Sequence, residues 1–335
     1  MSAPEPRENA LLRGHAAAEA MLAEALRAGR LHHAWLITGP LGVGKATLAF
    51  RFARRLLAGG EGELALSATH PVFRRVAVGS HADLLTIERE WDPKKKRMRG
   101  EIIVDDVRRV SGFLRLTPAE GGWRVVIVDG AEDMNRQGQN ALLKVLEEPP
   151  PQAILLLVCG AAGRLLPTIR SRCRRLALDK LEEADVAALL TQYRPDLERD
   201  AVLRLAGIAE GSIGRALKLA ASGAASQAEL VDAVLGEVPD IGVLRAHAVA
   251  DALGRDEDAF ATFMELLRAA IAAAVRDAAR GRADPDQARM LGMRPLADWV
   301  DVWHALGRLQ DETEDLYLDK RQAIVTSLGL LTRAF

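Results

Sequence analysis

Chemistry enters this chain at Gly39-Pro40-Leu41-Gly42-Val43-Gly44-Lys45-Ala46-Thr47. Glycines at this spacing let successive backbone N–H groups close around phosphate oxygens, and the lysine supplies a point charge. A helix opening at Lys45 adds the positive end of its dipole. Mg2+-dependent phosphoryl transfer asks for one thing more, a Ser or Thr hydroxyl directly after the lysine to ligate the metal. That position is Ala46, and a methyl group holds no metal. Thr47 lies about 100° further round a helix and is not a simple stand-in. The loop is suited to cupping a nucleotide and poorly suited to hydrolysing one.

A second chemical position is Asp129, which ends the apolar run Val125-Val126-Ile127-Val128. A carboxylate there faces Mg2+ through water beside a phosphate loop. The residue after it, where an acid polarising the attacking water is wanted, is Gly130; Glu132 comes three residues on, and the turn is expected to aim it elsewhere. Two separate losses, at Ala46 and Gly130, point to a nucleotide fold without its hydrolytic job. A third position is Leu165-Leu166-Pro167-Thr168-Ile169-Arg170-Ser171-Arg172-Cys173. Pro167 suits a helix start, so the arginines are expected on a short helix or turn beyond the last strand. They read either as an exposed basic patch or as an arginine donated to a neighbour's nucleotide, where a guanidinium neutralises charge on the transferring phosphoryl group.

These residues need a scaffold. Ala34–Thr38 is an apolar strand before the loop, preceded by a helix over 14–30 and followed by one over Ala46–Leu57. His32 and His33 read as a polar lead-in to that strand, with a metal site as the sharper alternative. Gly59 to Ser80 loses pattern and is expected to be a loop-rich insertion. Leu84–Ile87, Val125–Val128 and Ile154–Val158 are further strands, and Asp105 is a plausible cap for the helix after Ile102-Ile103-Val104. Continuous apolar runs separated by helices predict a parallel sheet covered on both faces. Trp123 is expected as core at the sheet edge. The run Lys94–Arg99 predicts a solvated hairpin or loop, with nucleic-acid contact as the alternative.

Beyond Cys173 only helices are expected, over Leu181–Leu190 and Asp200–Ala209, then one capped by Ser212 and carrying Arg215. Trp299, Val302, Trp303, Leu306 and Leu309 form one apolar stripe, and Ile324, Val325, Leu328 and Leu331 another. Tryptophans four apart on a helix are bundle core before they are a ligand box. The alanines of Ala269–Ala274 permit close helix packing.

The chain has 335 residues, enough for two or three domains. Forty-five basic against 46 acidic side chains give a net charge of −1, so no global basic field advertises nucleic acid. Two cysteines, Cys159 and Cys173, are too few for a disulfide framework or a four-thiolate zinc site. No apolar signal core or run of transmembrane length is seen, and a cytoplasmic location away from membranes is expected.

The loop followed by alanine, the segment Asn140-Ala141-Leu142-Leu143-Lys144-Val145-Leu146-Glu147-Glu148-Pro149-Pro150, and Leu166 to Cys173 together closely resemble bacterial clamp-loader subunits of the AAA+ class. The resemblance covers residues from about 10 to 220. It implies an α/β AAA+ P-loop domain with a parallel sheet and helices on both faces (1–178), a small helical lid (179–222) and an all-α C-terminal collar (223–335). Gly39, Gly42, Gly44, Lys45, Thr47 and Asp129 fall in its nucleotide pocket, Arg215 at the second-sensor position of the lid, and Arg172 at the trans arginine finger. The implied partners are the tau/gamma and delta subunits of a DNA polymerase III clamp loader, the sliding clamp, and primer-template DNA through the complex. No cofactor is required; residual ATP or ADP binding is expected, without turnover by the isolated chain and without a polymerase site. Relatives carry a four-cysteine zinc module where Gly59 to Ser80 has no cysteine, and His70 and His81 do not rebuild it, so no zinc is expected. The competing reading is an ATP-hydrolysing motor of the tau/gamma type, which wants a hydroxyl at 46, an acid at 130 and the zinc cysteines.

Overall fold

A computed structural model describes residues 4–60, 62–92, 96–120, 122–253 and 259–332. The chain begins with α1 (Ala16–Arg27), β1 (Ala34–Thr38), α2 (Lys45–Leu57), α3 (Pro71–Ala77), β2 (Leu84–Ile87), β3 (Trp91–Asp92), β4 (Arg97–Met98) and α4 (Val104–Leu114). It continues through β5 (Arg124–Asp129), α5 (Arg136–Glu147), β6 (Ala153–Cys159), α6 (Pro167–Arg170), β7 (Arg174–Ala177) and α7 (Glu183–Tyr193). Five strands form one parallel sheet in the order β2-β5-β6-β1-β7. Its central strands β1 and β6 are buried throughout, which is why their sequences run apolar without alternation.

Successive side chains still point to opposite faces, so each strand feeds two cores. Trp35, Ile37, Val125, Ile127, Leu156 and Val158 join α1, α2 and α3 in one cluster, with Trp123 packed at its margin. Leu36, Val126, Val128, Leu155, Leu157 and Cys159 join α4, α5 and α6 in the other. Register sets the site: Thr38 pairs with Cys159, and Asp129 with Val158. The carboxyl ends of three neighbouring strands therefore open side by side, where parallel α/β sheets bind ligands.

Three expectations are corrected. Gly59 to Ser80 is not loop throughout, since α3 lies in it, with Pro71 in its first turn and the His70 ring accepting from Val72 N at 3.2 Å. The arginine segment does not follow the last strand: β7 comes after it, pairing with β1 at the sheet edge. The helix α4 is capped from Ile103, not Asp105, and it is Asp106 whose carboxylate accepts from Ile103 N at 3.2 Å.

Cα packing divides the chain into two units, Met1–Pro195 with Glu210–Gly214, and Asp196–Ala209 with Arg215–Phe335. The second unit is helical: α8 (Arg199–Ile208), most of α9 (Ile213–Ala221), α10 (Ala224–Gly236), α11 (Val243–Leu253), α12 (Ala259–Ala279), α13 (Pro285–Leu291), α14 (Leu296–Asp315) and α15 (Lys320–Thr332). Phe260, Phe263, Leu267, Ile271, Trp299, Val302, Leu306, Ile324, Leu328 and Leu331 are among its buried side chains, so the tryptophan stripe is core on its Trp299 side. The half-buried Trp303 carries the Arg268 guanidinium 4.3 Å above its ring. Among the described residues no helix is long and apolar enough to cross a membrane.

Candidate nucleotide site

The phosphate loop is built by its glycines. Gly39, Gly42 and Gly44 have φ of +151°, +74° and +105°, in the region that L side chains rarely adopt. Space forbids a side chain as firmly, because a Cβ on Gly39 would meet the Leu178 carbonyl oxygen at 2.4 Å.

Every carbonyl along the loop has a donor. Lys45 Nζ donates to Gly39 O at 2.9 Å and Pro40 O at 2.6 Å. The Ser212 hydroxyl donates to Leu41 O at 2.9 Å, Gly214 N to Gly42 O at 3.0 Å, and His15 Nε2 to Val43 O at 2.7 Å. Gly44 O accepts from Leu48 N within the first turn of α2. With its acceptors turned to these donors, the loop is left to present its amides, and a phosphate asks for donors. Ser212, expected as a helix cap, thus reaches the loop. Leu41 stands exposed at the tip.

Lys45 and Thr47 are buried, Ala46 half-buried. Burial holds the Lys45 ammonium below its ordinary pKa, while the carboxylates of Glu132 and Asp129 pull it back up. Burial pushes the Asp129 carboxyl up, as does the charge of Glu88, against the Gly130 N–H and Lys45. The Cys159 thiol is pushed up to about 12, by burial first and then by Glu132. It is a thiol and not a nucleophile.

Glu132 is a correction. The turn after β5 does not send it away: its Oε1 accepts from Gly160 N at 2.6 Å, and its charge, like that of Asp129, raises the Lys45 pKa. Sequence spacing missed it because Gly130 takes a left-handed φ of +72° and Ala131–Asp133 coils into a 3-10 turn.

Other expected residues have partners of their own. Arg172 stands on the turn after α6, its guanidinium 2.8 Å from Glu147 and donating to Thr168 O at 3.1 Å. Arg215 belongs to the second unit, where its Nε donates to Glu265 at 3.1 Å. His33 donates to Leu146 O at 3.0 Å, and His81 Nδ1 accepts from Asp83 N at 3.2 Å, so both rings have structural work. Among the described residues no group of three or more His, Cys, Asp or Glu side chains is arranged to hold a metal ion.

A parallel sheet, a glycine loop with its lysine after β1 and an acid at the end of β5, one strand removed from β1, define a P-loop α/β protein, followed by helices. A family model described as DNA polymerase III, delta subunit matches residues 14–182, and the chain belongs to that family. It is 36% identical over 203 residues to the DNA polymerase III subunit delta' of Pseudomonas aeruginosa, covering 60% of each chain. It is 35% identical to the delta' subunit of Escherichia coli, over 59% of this chain and 57% of that one. It is also 32% identical to a tau/gamma subunit of Haemophilus influenzae, over 59% of this chain but 28% of that protein's length. The chain thus spans less than two thirds of the length of these relatives.

Proposed function

We propose that this chain is the delta-prime subunit of a DNA polymerase III clamp loader, the comparatively rigid stator. In this reading it sits in a hetero-oligomeric ring with tau/gamma and delta subunits and helps place a sliding clamp on primed DNA. Its catalytic contribution is Arg172, lent in trans to the ATP of an adjacent motor subunit. The observation that carries the reading is Ala46: a phosphate loop with every carbonyl held, yet with no hydroxyl where the metal is ligated. Gly130 supports it by the same logic. Such a loop retains ATP or ADP as a structural ligand, held by the loop amides and Lys45, with Thr47 and Asp129 beside it. The second-sensor role of Arg215 belongs to the same proposal.

One observation favours the second reading, an ATP-hydrolysing motor: Glu132 is turned back onto Gly160 N, at the end of β6, the strand between β1 and β5. The test is ATP turnover by the chain alone and mixed with a tau/gamma subunit, with and without Arg172→Ala. The stator reading expects no motor-like turnover alone and a loss of about 10³-fold or more in the mixture, the scale of other arginine fingers. Turnover by the isolated chain returns the motor; a mixture indifferent to Arg172→Ala removes the finger.

A further inference from the structure

The hairpin of β3 and β4 stands apart from the main sheet as a two-stranded ribbon of its own. Trp91 and Met98 are directly opposed across it, as are Asp92 and Arg97. Opposed residues share a face, so Trp91 and Met98 form one apolar platform. Both are exposed, Trp91 at 57% and Met98 at 49%. Neither side chain is among those packed in the two sheet cores.

The charges around the platform are sorted. Acids at the base of the ribbon are taken up by arginines: Glu90 by Arg99 at 3.4 Å and Arg109 at 3.3 Å, Asp106 by Arg99 at 3.7 Å, and Glu88 by Arg7 at 3.0 Å. Asp92 also has a partner. At the outer end, Lys96 and Arg97 are exposed, and neither has a carboxylate partner among the described residues. Lys94 and Lys95, which complete the sequence run, lie outside the described residues. The ribbon therefore offers an open aromatic face with exposed Lys96 and Arg97 at its outer end, Asp92 standing opposite Arg97 without an ion pair to it. Arg97 issues from the reverse face, yet a two-stranded ribbon is thin against a Debye length of about 8–10 Å.

The geometry points to a binding site for single-stranded nucleic acid on this hairpin, with a base stacked on Trp91 and the sugar-phosphate chain running past Lys96 and Arg97. The two halves of the argument select this occupant over others. Unpaired cations ask for a polyanion, and a flat apolar ring asks for an exposed base face, which a strand has and an intact duplex hides. An acidic peptide satisfies the charge and leaves the indole unused. A solvated loop accounts for the lysines and leaves the indole unexplained. The site goes beyond the proposed stator role, because it is a direct contact of this chain and needs no ring, no nucleotide and no Arg172.

The full-length chain is titrated into fluorescently labelled oligo-dT and oligo-rU strands about 20 nucleotides long, following anisotropy at several salt concentrations. The wild-type chain binds, and binding weakens with salt. Trp91→Ala weakens it about five- to a hundredfold, the scale of one lost base stack, while Trp91→Phe restores most of the affinity. Lys96→Gln and Arg97→Gln each flatten the log–log salt slope by about 0.7. Binding to dT and rU alike, or to one of them, supports the site equally, and Arg172→Ala leaves it untouched even if the stator reading fails. Thermal unfolding at the wild-type temperature shows that the variants are folded. Oligonucleotide affinity unchanged in Trp91→Ala, a Trp91→Phe variant as weak as the alanine, or no binding by the wild-type chain at about 100 µM overturns the proposal. So does a Trp91→Ala variant that keeps its oligonucleotide affinity and loses a tau/gamma subunit on gel filtration, which makes the hairpin a protein contact.

Discussion

At the scale of single residues the site turns on which atoms are present to hold a metal and a water. Ala46→Thr restores the missing hydroxyl next to Lys45, so Mg2+ should strengthen ADP binding to this variant in calorimetry more than it does for wild type. Turnover should still be absent, because position 130 carries no carboxylate. If Ala46→Thr alone turns over ATP, Glu132 is the acid and the motor reading gains its base. Glu132 was not legible in the sequence, where spacing alone sent it outward; the left-handed Gly130 and the tight turn after it bring it back. Arg172, by contrast, was legible as a position and not as a geometry, since nothing in the sequence tells that Glu147 holds it. A different residue makes a pH prediction. Burial holds His81 below the ordinary histidine value of 6.5, with Arg75 helping and Glu120 and Asp83 opposing. The unfolded chain then takes the proton first, so the stability from neutral His81 is whole above 6.5 and is lost as pH falls from there toward the folded value. His81→Asn should flatten the fall in melting temperature between about pH 7 and pH 5; an unchanged slope shows that other groups carry it.

At the scale of elements the phosphate loop is held from outside by three donors far away in sequence, His15, Ser212 and Gly214. The Gly42–Gly214 contact brings two backbones together with no room for a side chain between them. A Cβ on Gly214 would lie 2.9 Å from Gly42 Cα, a backbone atom with little freedom to retreat. Gly214→Ala should therefore push the loop off its Gly214 N–H, costing about 1–3 kcal/mol by denaturant unfolding and weakening nucleotide binding at least as much. A variant of wild-type stability and nucleotide affinity would show that the loop holds its shape alone. Elements with a core to fill announced themselves: β1 and β2 fall where their apolar runs place them, and β5 and β6 extend theirs by a residue or two. The ones missed have little core. In β7 only Leu176 of four residues is buried, after exposed Arg174 and Arg175 and before exposed Ala177, so its sequence reads as surface. Its identity as a strand comes from the free edge of β1. Helix α3 has seven residues and a histidine cap, outside the usual Ser, Thr, Asp and Asn signal.

At the scale of the whole molecule, the chain passes between its two compact units after residues 195, 209 and 214. Each has its own buried aromatic core, with Trp35 in the first and Trp299 in the second. The phosphate loop and all the donors that hold it belong to the first unit. A ligand bound there stabilises only the folding equilibrium to which the loop belongs, by about 2.7 kcal/mol at a hundred times its dissociation constant. For a unit of this size each kcal/mol moves the midpoint by about 2–4 °C, so saturating ADP should raise the first unit's transition by roughly 5–10 °C. The second unit should melt where it did before. Two single-tryptophan reporters separate them: chains keeping only Trp35, or only Trp299, with the remaining tryptophans replaced by Phe, followed by fluorescence on heating with and without ADP. A shift confined to the Trp35 reporter is the expected result. Equal shifts in both reporters would mean that the three crossings bind the units into one cooperative system, and that nucleotide in the loop is felt through every helix behind it.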